Sequence, residues 1–246
     1  MIDYHCHLLP GIDDGADSME ESFEMARLLA EAGFKTVHCT PHCIRGVYDN
    51  TPEMVTREVT SLQKELDRVG IPLQVRPGME YYLDEYFANT LDSALPLGET
   101  RLLLVEAPSQ ANPDLIRDNL FLCLRRGFTP LFAHPERYSW WPKAEENQEN
   151  SGFLSRLRQR FTVPTPKGRD NGFPSIEEII SQGCFLQGNL GSFSGYYGPD
   201  VKTRAAALLN RNLYAHFGSD AHRSRSLGRI LREGLQEVRG VFNVER

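Results

Sequence analysis

Short apolar runs alternate with amphipathic stretches along most of the chain. "MIDYH" (1–5), "KTVHCT" (35–40), "LQVRP" (73–77), "RLLLVEA" (101–107), "TPLFA" (129–133), "CFLQGN" (184–189) and "YAHFGS" (214–219) read as strands. Their apolar positions are mostly continuous, the pattern of parallel strands covered on both faces. The stretches between them carry helix punctuation. Ser18-Met19-Glu20-Glu21 has the form of a capping box, in which the serine oxygen accepts the Glu21 N–H and the glutamate reaches back to the cap. Thr51-Pro52 and Asn112-Pro113 each set a cap before a proline at the first helical position. Ser175 opens a further helix, and the last begins near Ser224 or Ser226. Gly33, Gly70 and Gly127 are placed as left-handed stops. Strand–helix repetition about seven times over predicts a parallel-strand α/β domain. The stretch 142–174, rich in Pro, Gly, Asn and charge, breaks this rhythm. It reads as an insertion in a strand-to-helix loop, with "SGFLSRLRQRF" (151–161) as a short basic amphipathic helix. The whole of 1–246 is otherwise expected to form a single barrel-type domain.

Composition narrows the setting. A chain of 246 residues, 40% hydrophobic and 24% charged, can bury a full core without staples. Its net charge of -6 disfavours nucleic acid and anionic membrane as partners. No signal peptide is evident, and no apolar run approaches the ~18 residues of a membrane span. The five cysteines are odd in number and lack zinc-finger spacing, so reduced thiols and a cytoplasmic location are expected.

Metal-capable side chains recur at the C-terminal ends of the predicted strands. His5 and His7 close the first, with Asp13 and Asp14 in the following loop. His42 follows the second, Glu80 the third, Glu106 closes the fourth, His134 follows the fifth, and Asp220 and His222 follow the last. The sixth ends at Asn189, a weak ligand. In a barrel of parallel strands these ends meet on one face, which favours a barrel over an open sheet. Buried carboxylates gathered without counter-charge repel one another, and divalent cations resolve that cost. Mixed imidazole and carboxylate donors suit zinc, iron or manganese rather than calcium. Taken singly, each has a bland alternative: His42 a hydrogen-bonded histidine, Glu106 a salt-bridge partner, Asp14 a turn residue in "GIDDG".

The stretch "VHCTPHCIRG" (37–46) also matches Cys-x5-Arg, the spacing of cysteine-dependent phosphatases, through Cys39 and Arg45. That loop needs successive backbone N–H groups and glycine for close approach to phosphate. Here Pro41 deletes a donor, no glycine lies inside the loop, and no helix starts at Arg45 to lower the thiol pKa. Cys39 is therefore expected to be a buried strand residue.

His5-x-His7, "TPH" (40–42), "PGMEYY" (77–82), "AHPERY" (133–138) and "GSDAH" (218–222) together resemble the polymerase and histidinol phosphatase (PHP) family. The opening "MIDYHCHLLPGIDDGADSMEES" and the "HPERY" segment are most similar to its bacterial capsule- and exopolysaccharide-operon tyrosine phosphatases. The resemblance implies a distorted (β/α)7 barrel with three divalent metals, manganese first, with zinc or iron as alternatives. It assigns His5, His7, Glu80 and Asp220 to one metal. Glu80, Glu106 and His134 fall to a second, and Asp14, His42 and His222 to the third. Arg137 matches a phosphate-binding arginine, and Arg223 and Arg225 compete for a second such role. The implied activity is phosphomonoester hydrolysis by in-line attack of a metal-bridging hydroxide, with Asp220 or His222 available to supply a proton. The implied substrate is the phosphotyrosine tail of a tyrosine autokinase of polysaccharide export. Hydrolysis of histidinol phosphate or another small metabolite, phosphodiester cleavage, and a non-catalytic metal-stabilised scaffold are the alternatives.

Overall fold

The computed structural model describes residues 1–108, 110, 112–140 and 173–242. Most of the 142–174 insertion, including the expected basic helix, lies outside the described residues. The expected strands are present as β1 (Ile2–Cys6), β2 (Thr36–Cys39), β4 (Gln74–Pro77), β6 (Leu102–Glu106), β7 (Thr129–Ala133), β8 (Phe185–Asn189) and β9 (Tyr214–Gly218). Two short strands were not anticipated: β3 (His42–Cys43) and β5 (Glu80–Tyr82). They are the upper halves of broken strands, β3 following β2 past Pro41 and β5 following β4 past Gly78. His42 and Glu80 thus start strand segments of their own, where the sequence placed them in loops.

All strand pairings are parallel, within a three-stranded sheet β1-β2-β4 and a six-stranded sheet β3-β5-β6-β7-β8-β9. The two join where β9 meets β1: Asp220 N donates to His5 O at 2.7 Å and His7 N to Ala221 O at 3.0 Å. Below the break, Gly98 N donates to Pro77 O and Leu97 N to Leu102 O, so a loop spans the gap between β4 and β6. The result is a barrel-like ring. Tyr4 packs with Leu104, Leu131 and Ala133 from strands across the ring, and stacks between His38 and His216 with centroids at 5.4 and 4.1 Å. These side chains fill the interior, whereas Val105, Phe132 and Leu186 belong to the larger core under the helices.

The helices follow the punctuation. In α1 (Met19–Glu31) the Ser18 side chain accepts the Glu21 N–H. The reciprocal half of the capping box is not made. Instead the Glu21 carboxylate accepts Ser224 N at 2.5 Å and Ser224 Oγ at 3.1 Å, at the start of the last helix, Ser224–Phe242. Thr51, Asn112 and Ser175 cap the helices Pro52–Arg68, Pro113–Arg125 and Ile176–Ser181 through their side-chain oxygens. Among the described residues, no helix is long and apolar enough to cross a membrane.

Candidate metal centre

The upper rim of the ring gathers the predicted donors from β1, β3, β5, β6 and the loops after β1, β7 and β9. His5 Nε2 lies 3.1 Å from Glu80 Oε2, 3.2 Å from Asp220 Oδ1 and 3.1 Å from His7 Nε2. His7 Nε2 is 3.4 Å from the same two carboxylate oxygens. His42 bridges two groups: Nδ1 lies 3.1 Å from both Glu80 Oε2 and Glu106 Oε1, and Nε2 lies 3.4 Å from Asp14 Oδ1. His134 Nε2 is 3.2 Å from Glu80 Oε1 and 4.0 Å from Glu106 Oε2. His222 Nε2 is 3.3 Å from Asp14 Oδ1.

Donor atoms within 4.8 Å of one another form four overlapping sets: His5-His7-Glu80, His5-His134-Asp220, His42-Glu80-Glu106 and His7-Asp14-His42-His222. Every residue expected as a metal ligand from the sequence is brought into this cluster. The partition differs from the expected one: His42 also faces Glu80 and Glu106, His134 groups with His5 and Asp220, and His7 joins Asp14, His42 and His222.

Two backbone features bring the donors together. Gly218 lets β9 approach β1, because a Cβ there would lie 2.5 Å from His5 Cβ. His134 (φ 34°) and Asp220 (φ 50°) hold left-handed backbone, a conformation that costs roughly 1–3 kcal/mol outside glycine. Such strain survives where surrounding contacts impose it.

A shell of hydrogen bonds orients the rings. His5 Nδ1 donates to Gln187 Oε1 at 3.0 Å, and the same oxygen accepts His134 N at 3.2 Å. His7 Nδ1 donates to Asp13 Oδ2 at 2.7 Å, and His222 Nδ1 to Asp220 O at 2.9 Å. With protons fixed on Nδ1, Nε2 of each ring faces the cluster, as in carboxylate–histidine–metal arrangements. Asp220 is held from behind: its Oδ2 accepts from Arg137 Nη1 at 2.8 Å, Asn189 Nδ2 at 2.7 Å and Tyr197 OH at 3.4 Å. Arg137 also lies 4.5 Å above the Tyr197 ring.

The charges are strongly perturbed. Burial opposes the charge on His7, but Asp13, Asp220 and Glu80 outweigh it and raise its pKa well above the usual range. Burial likewise opposes His42, yet Glu80 and Glu106 push it up to about 10. Burial would raise Glu80 and Asp220, but the neighbouring imidazoles hold both well below ordinary carboxylates. Buried Glu80 Oε2 and His42 Nδ1 make no aligned hydrogen bond despite their 3.1 Å approach. Short, misaligned N and O atoms aimed at a common centre fit cation coordination better than hydrogen bonding, and the donor chemistry suits a transition metal.

Gln187 and Tyr197 are the contributors that sequence reading missed, while Asp13, noted there as metal-capable, holds the His7 ring. The one available signal was a glutamine inside an otherwise apolar strand. Arg223 and Arg225 are exposed, and Arg223 Nη1 donates to His222 O. Trp140 stacks on Tyr138 and Phe173 as packing, while Trp141 lies outside the described residues. Cys39 is fully buried, and burial reinforced by Asp3 and Asp13 pushes its thiol pKa far up, which removes the thiolate a cysteine mechanism needs.

Fold and site together define a parallel-strand α/β protein with a cluster of histidines and carboxylates at the C-terminal strand ends. The family model described as "Capsular polysaccharide synthesis, CpsB/CapC" matches residues 1–150. The chain belongs to this family. The tyrosine-protein phosphatase YwqE of Bacillus subtilis (strain 168) is 31% identical over 247 residues, covering 100% of this chain and 86% of that protein. The tyrosine-protein phosphatase CpsB of Streptococcus pneumoniae is 28% identical over 232 residues, covering 90% and 83%. A crystal structure from work on YwqE and CpsB, described there as unique metal-dependent tyrosine phosphatases, superposes with a TM-score of 0.78 at 29% identity. It covers 100% of this chain and 89% of that one. A histidinol phosphate phosphatase from Lactococcus lactis shares the fold, with a TM-score of 0.55 at 16% identity.

Proposed function

We propose that the protein is a metal-dependent protein-tyrosine phosphatase acting on a tyrosine-phosphorylated protein of capsule or exopolysaccharide synthesis, the tail of a tyrosine autokinase. The carrying observation is the cluster itself, shared as a fold with relatives named as metal-dependent tyrosine phosphatases. His5, His7, Asp14, His42, Glu80, Glu106, His134, Asp220 and His222 would hold up to three divalent ions, with manganese favoured. Bound cations would supply Lewis acidity, lowering the pKa of water and neutralising phosphoryl charge.

The remaining roles fall to the chain's own groups. Arg137 is anchored by Asp220 through one nitrogen and laid on Tyr197, which leaves its other N–H groups to bind non-bridging phosphoryl oxygens. Arg223 or Arg225, both exposed, would supply a second phosphate contact. A tyrosine phenolate, with a solution pKa of ~10, leaves without a strong general acid; His222 would supply a proton where one is needed, since the neighbouring imidazoles hold Asp220 well below ordinary carboxylates. The five cysteines are unbonded thiols, in keeping with a cytoplasmic setting.

The test is phosphotyrosine-peptide turnover by metal-stripped protein reloaded with manganese, zinc or iron, beside His42→Ala and Cys39→Ser. The expected result is metal-dependent turnover, a loss of at least tenfold with His42→Ala, and near-normal activity with Cys39→Ser. Full activity in chelator together with loss in Cys39→Ser overturns the proposal.

A further inference from the structure

The donors are unequally exposed. His5, His7, Glu80, Asp220 and His134 are buried, whereas Asp14 is 51% and His222 28% exposed. A phosphoryl group held at the cluster must therefore project its ester substituent through the side bounded by Asp14, His42 and His222. The hairpin that follows β3 stands there. Ile44 and Tyr48 pair across it, Gly46 turns it with φ 77°, and Gly46 N donates to Asp49 Oδ1. This returns the Tyr48 ring over His42, stacked at 5.6 Å and 16° between planes. At the hairpin tip Val47 is 65% exposed, and the Arg45 guanidinium lies flat on the exposed Tyr86 ring at 4.4 Å. No carboxylate pairs with Arg45 among the described residues, so stacking rather than a salt bridge sets its orientation.

We infer that Tyr48, Val47 and the Arg45–Tyr86 pair form a subsite for the aryl group of the phosphoester. It lies beside the metal centre and selects aromatic over aliphatic phosphomonoesters. The inference rests on the hydrolase reading above and adds the substrate-recognition element to it. Tyr48 presents a ring face along the exit path, and Val47 and the Arg45–Tyr86 plane extend that surface for the residue flanking the phosphotyrosine. Offset or edge contacts of this kind contribute about 0.5–1.5 kcal/mol each beyond area burial. Tyr48 therefore contributes up to about tenfold in selectivity.

The experiment measures kcat/KM for a phosphotyrosine peptide and for the same peptide bearing phosphoserine, with manganese-loaded wild type, Tyr48→Phe, Tyr48→Ala and Arg45→Ala. Metal content is determined for each variant. The expected result is an aryl-to-alkyl ratio that falls three- to tenfold in Tyr48→Ala, mainly through KM. Tyr48→Phe should restore the ratio, Arg45→Ala should give a smaller fall, and metal content should match wild type throughout. Equal losses on both peptides, or an unchanged ratio in Tyr48→Ala, overturn the subsite while leaving the hydrolase reading in place. A wild-type protein that turns over neither peptide sinks the hydrolase reading and the subsite with it.

Discussion

Gln187 is placed among the site histidines without itself facing a cation. Its Oε1 accepts from His5 Nδ1 and from the backbone N–H of His134, while its Nε2 donates to Gly188 O at 2.7 Å. One amide therefore sets the tautomer of a β1 ring and the backbone of the strained loop after β7. Asp13 does the same for His7 and also accepts the His42 N–H at 3.1 Å, so a carboxylate beside the exposed candidate ligand Asp14 serves as an orienting group. Removing such partners typically costs ~10–100-fold in metal affinity. Gln187→Leu is expected to lose metal affinity within that range, with Gln187→Glu recovering part of it because the carboxylate can still accept from His5. Calorimetric titration of the stripped protein checks this, and an affinity unchanged in Gln187→Leu would show that the ring needs no such orientation. The sequence revealed the clustered donors but not the way Gln187 and Asp13 support them. Histidine and acidic side chains at strand ends are unusual enough to stand out, whereas a buried glutamine or a second aspartate in a turn resembles ordinary structure until its partner, 182 residues away for His5 and Gln187, is known.

At the scale of elements, the same boundary between local and distant determinants explains which features were legible. Caps at Ser18, Thr51, Asn112 and Ser175 depend on neighbours a few residues away, and each side-chain oxygen caps its helix as read. The strand breaks at Pro41 and Gly78 gave no periodic signal, because β3 and β5 are too short to show one; past the breaks the pairing passes from β2–β4 to β3–β5–β6. Glu21 marks the limit most clearly. Local pattern assigned its carboxylate to its own helix, but the tertiary fold gives it Ser224, at the end of the loop that carries Asp220 and His222. The carboxylate gains two donors at a helix start, where negative charge is favoured, in place of the single N–H that the local box offers. Glu21→Ala should cost about 1–2 kcal/mol. For a chain of this size that lowers Tm by roughly 2–8 °C. Ser224→Ala removes only the weaker hydroxyl bond and should cost less. Thermal melts of the two variants decide the point, and equal, negligible shifts would mean the tether is not a stabilising contact.

The end of the ring opposite the metal centre is also polar. Opposite the metal centre, His38 and His216 flank Tyr4, with Phe185 edge-on to His216 and Arg76 beside His38. Burial, aided by Arg76, lowers His38 to about 4, and burial alone lowers His216 to about 4, so both rings are neutral inside the fold. In the unfolded chain each titrates near ~6.5. Between those values the unfolded state binds more protons, and stability falls as pH drops from about 6.5 toward 4, with no contribution from this pair above about 7. Asp3 acts in the opposite sense. Burial raises its pKa to about 6 against an ordinary 3.8, so the folded state takes up that proton first and recovers part of the loss over the same window. Two imidazoles against one carboxyl leave a net acid destabilisation on the order of a few kcal/mol. Metal-free protein melted from pH 7.5 down to 4.5 should lose Tm steadily below pH 6.5. His38→Gln combined with His216→Phe removes both titrating rings, and its profile should be distinctly shallower than wild type. Parallel profiles for the two proteins would show that these rings do not set the acid sensitivity; the lowered pKa values of Glu80 and Asp220 cost stability only below the ordinary carboxylate range, beneath this window.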